Sequence, residues 1–357
     1  MSVLSIKKEN IVYAHNIAYI TEGNSHIGMG HVYECLNLSY YLRSVYNVKP
    51  YFLVSSDTIM PDDSLFTLRF DEYPDIVELI HRLRMDNIGT VVIDMKSVKD
   101  SWITPFVEAK LTTICIDELS DRNLSSDIII NSSIVKDIHK YTLKRDDTKC
   151  FFGTLYKIIG NTFYLYAGKN KSISGSSKIL VNMGGTDRDG ATLKIVRALK
   201  QLDDSYMCII KIGPAFLYKK ELEDELKNLK CRYVLNFHVD DMAKLFYDAD
   251  VCISAGGNTL YETVCVGTPA IVLWEDVHEG VQAASFETEH TVINLGQSKT
   301  INNKLLLETI TTLLTDKHLW EDMSLKGKNL VDGRGVMRVG DIIMGDYSFD
   351  FRGYFNE

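Results

Sequence analysis

Short aliphatic and β-branched runs alternate with helical patterns along the first half of the chain. The predicted strands lie at 17–20, 50–54, 90–94, 112–117 and 127–131. Between them, residues 32–46 and 75–85 carry apolar side chains at helical spacing. Continuously apolar strands separated by helices are typical of a parallel sheet that is covered on both faces. The pattern therefore predicts an α/β fold.

A polar segment rich in glycine and serine, residues 167–177, is typical of a linker, and the same alternation resumes after it. The second half has predicted strands at 178–183, 207–212, 251–254 and 269–273, and helices at 191–202, 241–249, 259–266 and 303–314. A length of 357 residues also favours two domains. We therefore expect an N-terminal Rossmann-like domain at 1–168, a C-terminal nucleotide-binding Rossmann-like domain at 169–345, and a tail at 346–357.

Each half begins with a strand that leads into a glycine turn. The turns contain Gly28 and Gly30 in the first half, and Gly184 and Gly185 in the second. In parallel α/β folds, ligands bind at the carboxyl ends of the strands. We therefore expect two parallel sheets whose glycine turns face one central cleft.

The first turn delivers a histidine to the start of a predicted helix. Gly28 and Gly30 allow a tight turn and the close approach of a ligand, and His31 follows at once. A histidine at this position can donate or accept a proton. The alternative is a packing turn with an incidental histidine. Asp94, at the end of a predicted strand, is either a substrate-binding carboxylate or a helix cap.

A further glycine turn lies within residues 254–269, where a strand ends at the pair Gly256 and Gly257 and a helix follows. We expect Asn258 or Thr259 to cap this helix, whose backbone amides would face a diphosphate. Glu262, one turn into the helix, is placed to accept hydrogen bonds from two ribose hydroxyl groups. The alternative is a capping box, in which Glu262 reaches back to the start of the helix.

Composition limits the classes of function. The net charge of −9 argues against a general nucleic-acid binder. Seven scattered cysteines without a CxxC pair predict buried free thiols, and no His, Cys and Asp cluster has metal-ligand spacing, so neither a metal nor another cofactor is expected. The first ten residues lack the apolar core of a signal peptide, and no apolar run has the length of a membrane span. These features predict a cytoplasmic protein, and they leave open a peripheral membrane contact and the oligomeric state.

The run Gly-Gly-Asn-Thr-Leu-Tyr-Glu at 256–262, followed by Val-Gly-Thr-Pro at 266–269, resembles the nucleotide-binding signature of GT-B glycosyltransferases. It is similar to that of the lipid II-forming N-acetylglucosaminyltransferase. It is more similar still to that of the UDP-sugar hydrolase of the pseudaminic acid pathway and of the related spore-coat polysaccharide proteins. Further segments that resemble this hydrolase group lie at 27–31, 116–122, 181–187 and 238–245. These segments follow the order and spacing that they have in the hydrolase group, and together they span about residues 17–338.

The resemblance implies a GT-B-like enzyme that hydrolyses the anomeric C–O bond of a UDP-linked amino-deoxy sugar. It places Gly184, Gly185, Thr186, Gly257, Asn258 and Thr259 near the diphosphate. It also implies that Glu262 binds the ribose hydroxyls, that Gln282 lies near the sugar or a phosphate, and that His31 is the catalytic acid/base. The amides at a helix N-terminus can stabilise the charge that develops on the leaving diphosphate. A histidine, whose ordinary pKa is close to neutral pH, can transfer the proton.

The chain departs from the hydrolases mainly in its first half. Glu34 stands where these proteins usually carry an arginine, three residues after the histidine. A changed first-half pocket would suit a different acceptor, so transfer of the sugar to a sugar or lipid acceptor is the alternative activity. A second alternative is a nucleotide-sugar-binding subunit without catalytic activity.

Overall fold

The structure is a computed structural model that describes residues 15–24, 27–70, 75–96, 99–116, 124–175, 177–185, 187–213 and 216–347. The strands are β1 (His15–Thr21), β2 (Val48–Ser55), β3 (Phe66–Phe70), β4 (Ile88–Asp94), β5 (Thr112–Ile116), β6 (Ile128–Asn131), β7 (Lys149–Phe152), β8 (Lys178–Asn182), β9 (Met207–Lys211), β10 (Arg232–Asn236), β11 (Val251–Ser254), β12 (Ala270–Trp274) and β13 (Val292–Gln297). The helices are α1 (Gly30–Tyr46), α2 (Ile76–Met85), α3 (Asp100–Glu108), α4 (Asn161–Ala167), α5 (Ala191–Leu199), α6 (Lys219–Leu226), α7 (Met242–Asp248), α8 (Thr259–Cys265), α9 (Val277–Thr288), α10 (Asn303–Thr315), α11 (Lys317–Leu330) and α12 (Gly335–Ile343).

The chain forms two compact units. Unit 1 comprises residues 1–131, 141–151 and 339–357, and unit 2 comprises residues 132–140 and 152–338. This division differs from the expected boundary at 168/169, because Phe163 and Ala167 of α4 are buried in a core of unit 2. Residues 339–345, which we expected in the C-terminal domain, belong to unit 1.

Unit 1 is built on a sheet with the strand order β3-β2-β1-β4-β5-β6-β7. The pairings among β1–β6 are parallel. Residues 17–21 of β1 are buried, as the apolar run predicts for a central strand. The chain reverses its direction of winding between β1 and β4, which is the point where open parallel sheets bind their ligands.

Unit 2 repeats this architecture with the strand order β10-β9-β8-β11-β12-β13, and all its pairings are parallel. Alternate residues of the central strands enter two different cores. Ile179 and Val181 of β8 pack into the core that also contains residues of α5, α6 and α10. Leu180, between them, packs into the core with residues of α4, α7, α8 and α9. The winding reverses between β8 and β11.

The segment predicted as a linker, 167–177, is attached to unit 2. The Lys171 ammonium is buried and donates to the backbone oxygen atoms of Phe246 and Ala249, at 3.3 and 2.8 Å, and to the Thr268 hydroxyl. The Ser174 hydroxyl donates to Asp250 at 2.6 Å. A segment with these buried contacts is part of the unit, and the polar composition that suggested a linker reflects its irregular backbone.

The end of α12 is fixed to α1 within unit 1. The phenol groups of Tyr41 and Tyr46 both donate to Oδ1 of Asp341, at 2.9 and 2.7 Å. Of the predicted tail at 346–357, only Asp346 and Tyr347 are among the described residues, and Tyr347 stacks on Phe151.

The seven cysteines are free thiols, and six of them are buried. In the described parts of the chain, no helix has both the length and the apolarity needed to cross a membrane.

Candidate active site

The His31 side chain is held by a buried carboxylate. Thr21 at the end of β1 pairs with Asp94 at the end of β4, so the helix that follows β1 begins beside Asp94. Nδ1 of His31 lies 2.6 Å from Oδ1 of Asp94, and their side chains are 28% and 2% exposed. An imidazole that donates its Nδ1 proton to a carboxylate presents Nε2 for proton transfer.

Asp94 is also contacted from the helix that carries His31. The Cys35 thiol, one turn further along α1, lies 3.9 Å from Oδ2 of Asp94. Burial, and then the charge of Asp94, raise the pKa of this thiol well above its ordinary value, so the thiol stays protonated as a weak donor. The structure thus gives Asp94 a positioning contact to His31, and its direct contact with substrate remains a prediction.

The first glycine turn is a closed loop. Asn24 and Gly28 exchange two backbone hydrogen bonds, at 2.9 and 3.2 Å, and the Asn24 carboxamide accepts from the Ile27 amide. Gly28 has a φ of +87°, a conformation that favours glycine, as the tight turn required. Gly30 is the first residue of α1. The loop therefore fixes the start of the helix on which His31 lies.

The second glycine turn, after β8, packs directly on the loop after β9. Gly184 has a φ of +80°, and a Cβ atom on Gly213 would lie only 2.1 Å from the backbone oxygen of Gly185. The two loops therefore meet backbone to backbone, and glycine is required at the contact. Thr186, which the resemblance places near the diphosphate, lies outside the described residues.

Asp187, two residues after Gly185, is a helix-capping residue that the sequence pattern did not single out. Its carboxylate accepts from the amides of Ala191 and Thr192, at 2.6 and 2.9 Å, which are the first two residues of α5. These amides are therefore occupied by the protein. The signal was an aspartate a few residues before a helix, which is a common capping position.

The glycine pair after β11 is held by α9. Nε2 of Gln282 donates to the backbone oxygen of Gly256 at 2.6 Å, and Oε1 accepts from the Tyr261 hydroxyl at 3.2 Å. A Cβ atom on Gly256 would lie 2.6 Å from the backbone oxygen of Glu279. Gln282 is buried, and both ends of its side chain contact the protein. The structure thus shows Gln282 supporting the glycine turn, while the expected contact with sugar or phosphate remains a prediction.

The start of α8 differs from the expectation. Asn258 precedes the helix, and its side chain makes no capping hydrogen bond because the residue has helical backbone angles. Thr259 is the first helical residue, and α8 has only seven residues. The expected side-chain cap is therefore wrong. The capping box is also absent, since Glu262 has no hydrogen-bond partner among the described residues.

Glu262 lies in a desolvated environment near two lysines. Burial raises the pKa of its carboxyl group to about 7, and the nearby charges of Lys211 and Lys157 oppose this increase. Lys157 is almost fully buried, and its ammonium lies 5.0 Å from the centre of the Tyr261 ring. Lys211 ends β9 and was missed by sequence reasoning, although a lysine at the last position of an apolar strand was a visible signal.

Within the described ranges, no group of three or more His, Cys, Asp and Glu side chains could hold a metal ion.

The structure is similar to that of MurG from Acinetobacter baumannii, with a TM-score of 0.70 and 14% identity over 93% of this chain and 99% of the other. The expected fold class, an α/β protein of the GT-B type with two Rossmann-like units on parallel sheets, is confirmed.

One sequence comparison concerns a domain within unit 2, and two others cover most of the chain. Residues 180–333 match the glycosyltransferase family 28 C-terminal domain. The chain is 22% identical to the spore coat polysaccharide biosynthesis protein SpsG of Bacillus subtilis, over 93% of this chain and 98% of that protein. It is 27% identical to the uncharacterized protein MJ1062 of Methanocaldococcus jannaschii, over 88% of this chain and 70% of that protein. The region matched by the family contains both glycine turns of unit 2, Glu262 and Gln282.

Proposed function

We propose that this protein is an enzyme of polysaccharide biosynthesis that transfers a glycosyl group from a UDP-sugar to a sugar or lipid acceptor. The observation that carries the proposal is the match of residues 180–333 to a glycosyltransferase domain. Within that region, Glu262 has a partly buried carboxyl group without a protein partner among the described residues, near the switch point of the sheet. Such a carboxylate is suited to accept hydrogen bonds from ribose hydroxyls.

In the proposed reaction, the bond between the anomeric carbon and the diphosphate oxygen breaks, and a bond from the anomeric carbon to the acceptor oxygen forms. UDP leaves with the electron pair of the broken bond. The acceptor hydroxyl transfers its proton to Nε2 of His31, and Asp94 stabilises the resulting imidazolium through Nδ1.

Water can replace the acceptor in the same chemistry, which gives the hydrolase activity that the sequence resemblance implies. The comparisons favour transfer over hydrolysis, since the matching family is one of glycosyltransferases. We expect an amino-deoxy sugar such as N-acetylglucosamine in the donor, as the resemblance implies. A protein that binds nucleotide sugars without turnover is the remaining alternative.

The test is a coupled assay of UDP release from a panel of UDP-sugars, which includes UDP-N-acetylglucosamine and its deoxy-diacetamido derivatives. Each donor is assayed alone and with sugar and lipid-linked acceptors. Release that requires an acceptor supports transfer, while equally fast release in water supports hydrolysis. UDP binding without release from any donor supports the non-catalytic alternative.

A further inference from the structure

Three neighbouring strands of unit 2 end in polar residues that lie side by side. Asn182 ends β8, Lys211 ends β9 and Ser254 ends β11. In the parallel pairings, Asn182 is in register with both Lys211 and Ser254. Register partners in a parallel sheet point to the same face, and neighbouring strands are about 4.8 Å apart. The three side chains therefore form one row at the carboxyl edge of the sheet.

This row lies on the face of the sheet that is covered by α8. Cys252, two residues before Ser254 and on the same face, has its sulfur 4.0 Å from Oγ1 of Thr263 in α8. Glu262 is the residue before Thr263, and its charge acts on both Lys211 and Cys252. The row and the Glu262 carboxyl group therefore belong to one polar cluster.

The cluster is buried but lacks internal hydrogen bonds. Asn182 and Ser254 are 2% and 0% exposed. Neither Oδ1 of Asn182 nor Oγ of Ser254 has a partner among the described residues. Buried polar atoms are almost always paired, because an unpaired one destabilises the folded state. Several unpaired groups at one sheet edge therefore point to a ligand that supplies their partners.

The charges of the cluster indicate the chemistry of this ligand. Lys211 contributes a half-buried ammonium and Glu262 a carboxylate, and within the described part of the chain the two groups do not form an ion pair. Ribose hydroxyls can donate to the Glu262 carboxylate and to Oδ1 of Asn182, while an anionic phosphate oxygen can accept from the Lys211 ammonium. A nucleoside diphosphate carries both kinds of group.

We infer that Asn182, Lys211 and Ser254 form with Glu262 the polar floor that binds the ribose and phosphate groups of a nucleoside diphosphate. This inference rests on the proposed function and assigns three further binding residues to it. Lys211 has a second effect, since its positive charge favours the ionised form of the Glu262 carboxyl group. Among the described residues, Lys157 also favours the ionised form of Glu262, while the charge of Glu262 raises the pKa of the neighbouring Cys252 and Cys265 thiols.

The first test is Ser254→Ala, which removes the unpaired hydroxyl. We expect unchanged or higher stability of the ligand-free protein, because an unpaired buried group is lost, and about tenfold weaker UDP binding. Asn182→Leu is a second variant of similar volume. The matched control is Ser324→Ala, since Ser324 is buried in α11 beside Gly267, just before the amino edge of β12. If the Ser254 hydroxyl served only to stabilise the fold, Ser254→Ala would instead lower the unfolding midpoint.

The second test is the pH dependence of binding a UDP-sugar, whose phosphates do not titrate near neutral pH. Affinity should rise as the Glu262 carboxyl group loses its proton, with a midpoint near its pKa of about 7. Lys211→Met should move this midpoint to higher pH, because the favourable positive charge is lost, and Lys211→Arg should restore it. Lys178→Met, at the opposite end of the neighbouring strand, is the control and should not move the midpoint.

The outcomes separate the inference from the proposed function. If the wild-type protein does not bind UDP or a UDP-sugar, both fail. If it binds, and the Ser254, Asn182 and Lys211 variants bind equally well with the wild-type pH midpoint, only the inference is overturned. Weaker binding by folded Ser254→Ala, together with the shifted midpoint of Lys211→Met, supports it.

Discussion

Nδ1 of His31 lies 2.6 Å from Oδ1 of Asp94, although the two residues are 63 positions apart in the chain. The contact exists because β1 and β4 are neighbours in the sheet, with Thr21 and Asp94 paired at their carboxyl ends. Parallel sheets bind their ligands where the winding reverses, and here this point brings the buried Asp94 carboxylate into contact with Nδ1 of His31. Such a pair is suited to acid/base catalysis, which is the role that we propose for His31.

Replacement of His31 by alanine should greatly reduce turnover and leave nucleotide binding intact. We expect UDP release to fall by about 10²- to 10⁴-fold, the usual contribution of a general acid or base. UDP affinity, measured by calorimetry, should stay near the wild-type value. His81→Ala is the matched control, because His81 is an exposed histidine of α2 in the same unit. An unchanged rate in His31→Ala would exclude the proposed role.

Replacement of Gly213 by alanine should disrupt the packing between the loop after β9 and the Gly184–Gly185 turn after β8. The new Cβ atom would lie 2.1 Å from the backbone oxygen of Gly185, so one loop must move. We expect a lower unfolding midpoint and weaker UDP binding. Gly89→Ala in β4 is the control, since a Cβ atom there meets nothing within 4 Å. Equal denaturation curves and equal UDP affinity for wild type and Gly213→Ala would contradict this packing.

The buried Lys171 should make the stability of the protein depend on pH. Burial lowers its pKa from the ordinary 10.5 to about 7. Between these two values the unfolded chain binds more protons than the folded one, so the free energy of unfolding gains a contribution that rises with pH. Denaturant unfolding at about pH 7 and about pH 9 should show a smaller rise in Lys171→Met than in wild type.

The control for this comparison is Lys220→Met, which removes an exposed lysine of α6 and should keep the wild-type pH dependence. If Lys171→Met shows the same rise with pH as the wild type, the ammonium of Lys171 is not buried as described.

Much of the fold was predictable from the sequence because apolar runs mark the central strands. The strand predicted at 251–254 has those bounds in the structure, and β8 and β9 each end one residue earlier than predicted. Elements without a strong apolar stripe were missed. In α6, only Leu222 and Leu226 are buried, and β10 is an edge strand with three exposed residues. Such elements carry too few buried positions for a pattern to appear.

The candidate site was less predictable than the fold. The glycine turns and Glu262 could be recognised from the sequence. A short segment is enough to show where the backbone needs glycine and where a residue lies in a helix. The pairing of His31 with Asp94 depends on the order and register of β1 and β4, which no short segment contains. The support of Gly256 by Gln282 depends in the same way on α9, which we did not predict because its first residues read as an acidic loop.

The measurement that tests the account most directly is a calorimetric titration of UDP into the wild-type protein and Glu262→Ala. We expect saturable binding to the wild type and a loss of about 1–3 kcal/mol, or about 5- to 150-fold in Kd, in the variant. Glu221→Ala, which removes an exposed acidic residue from the first turn of α6, should bind like the wild type. No binding of UDP by the wild type, or equal affinity in Glu262→Ala, would contradict the account.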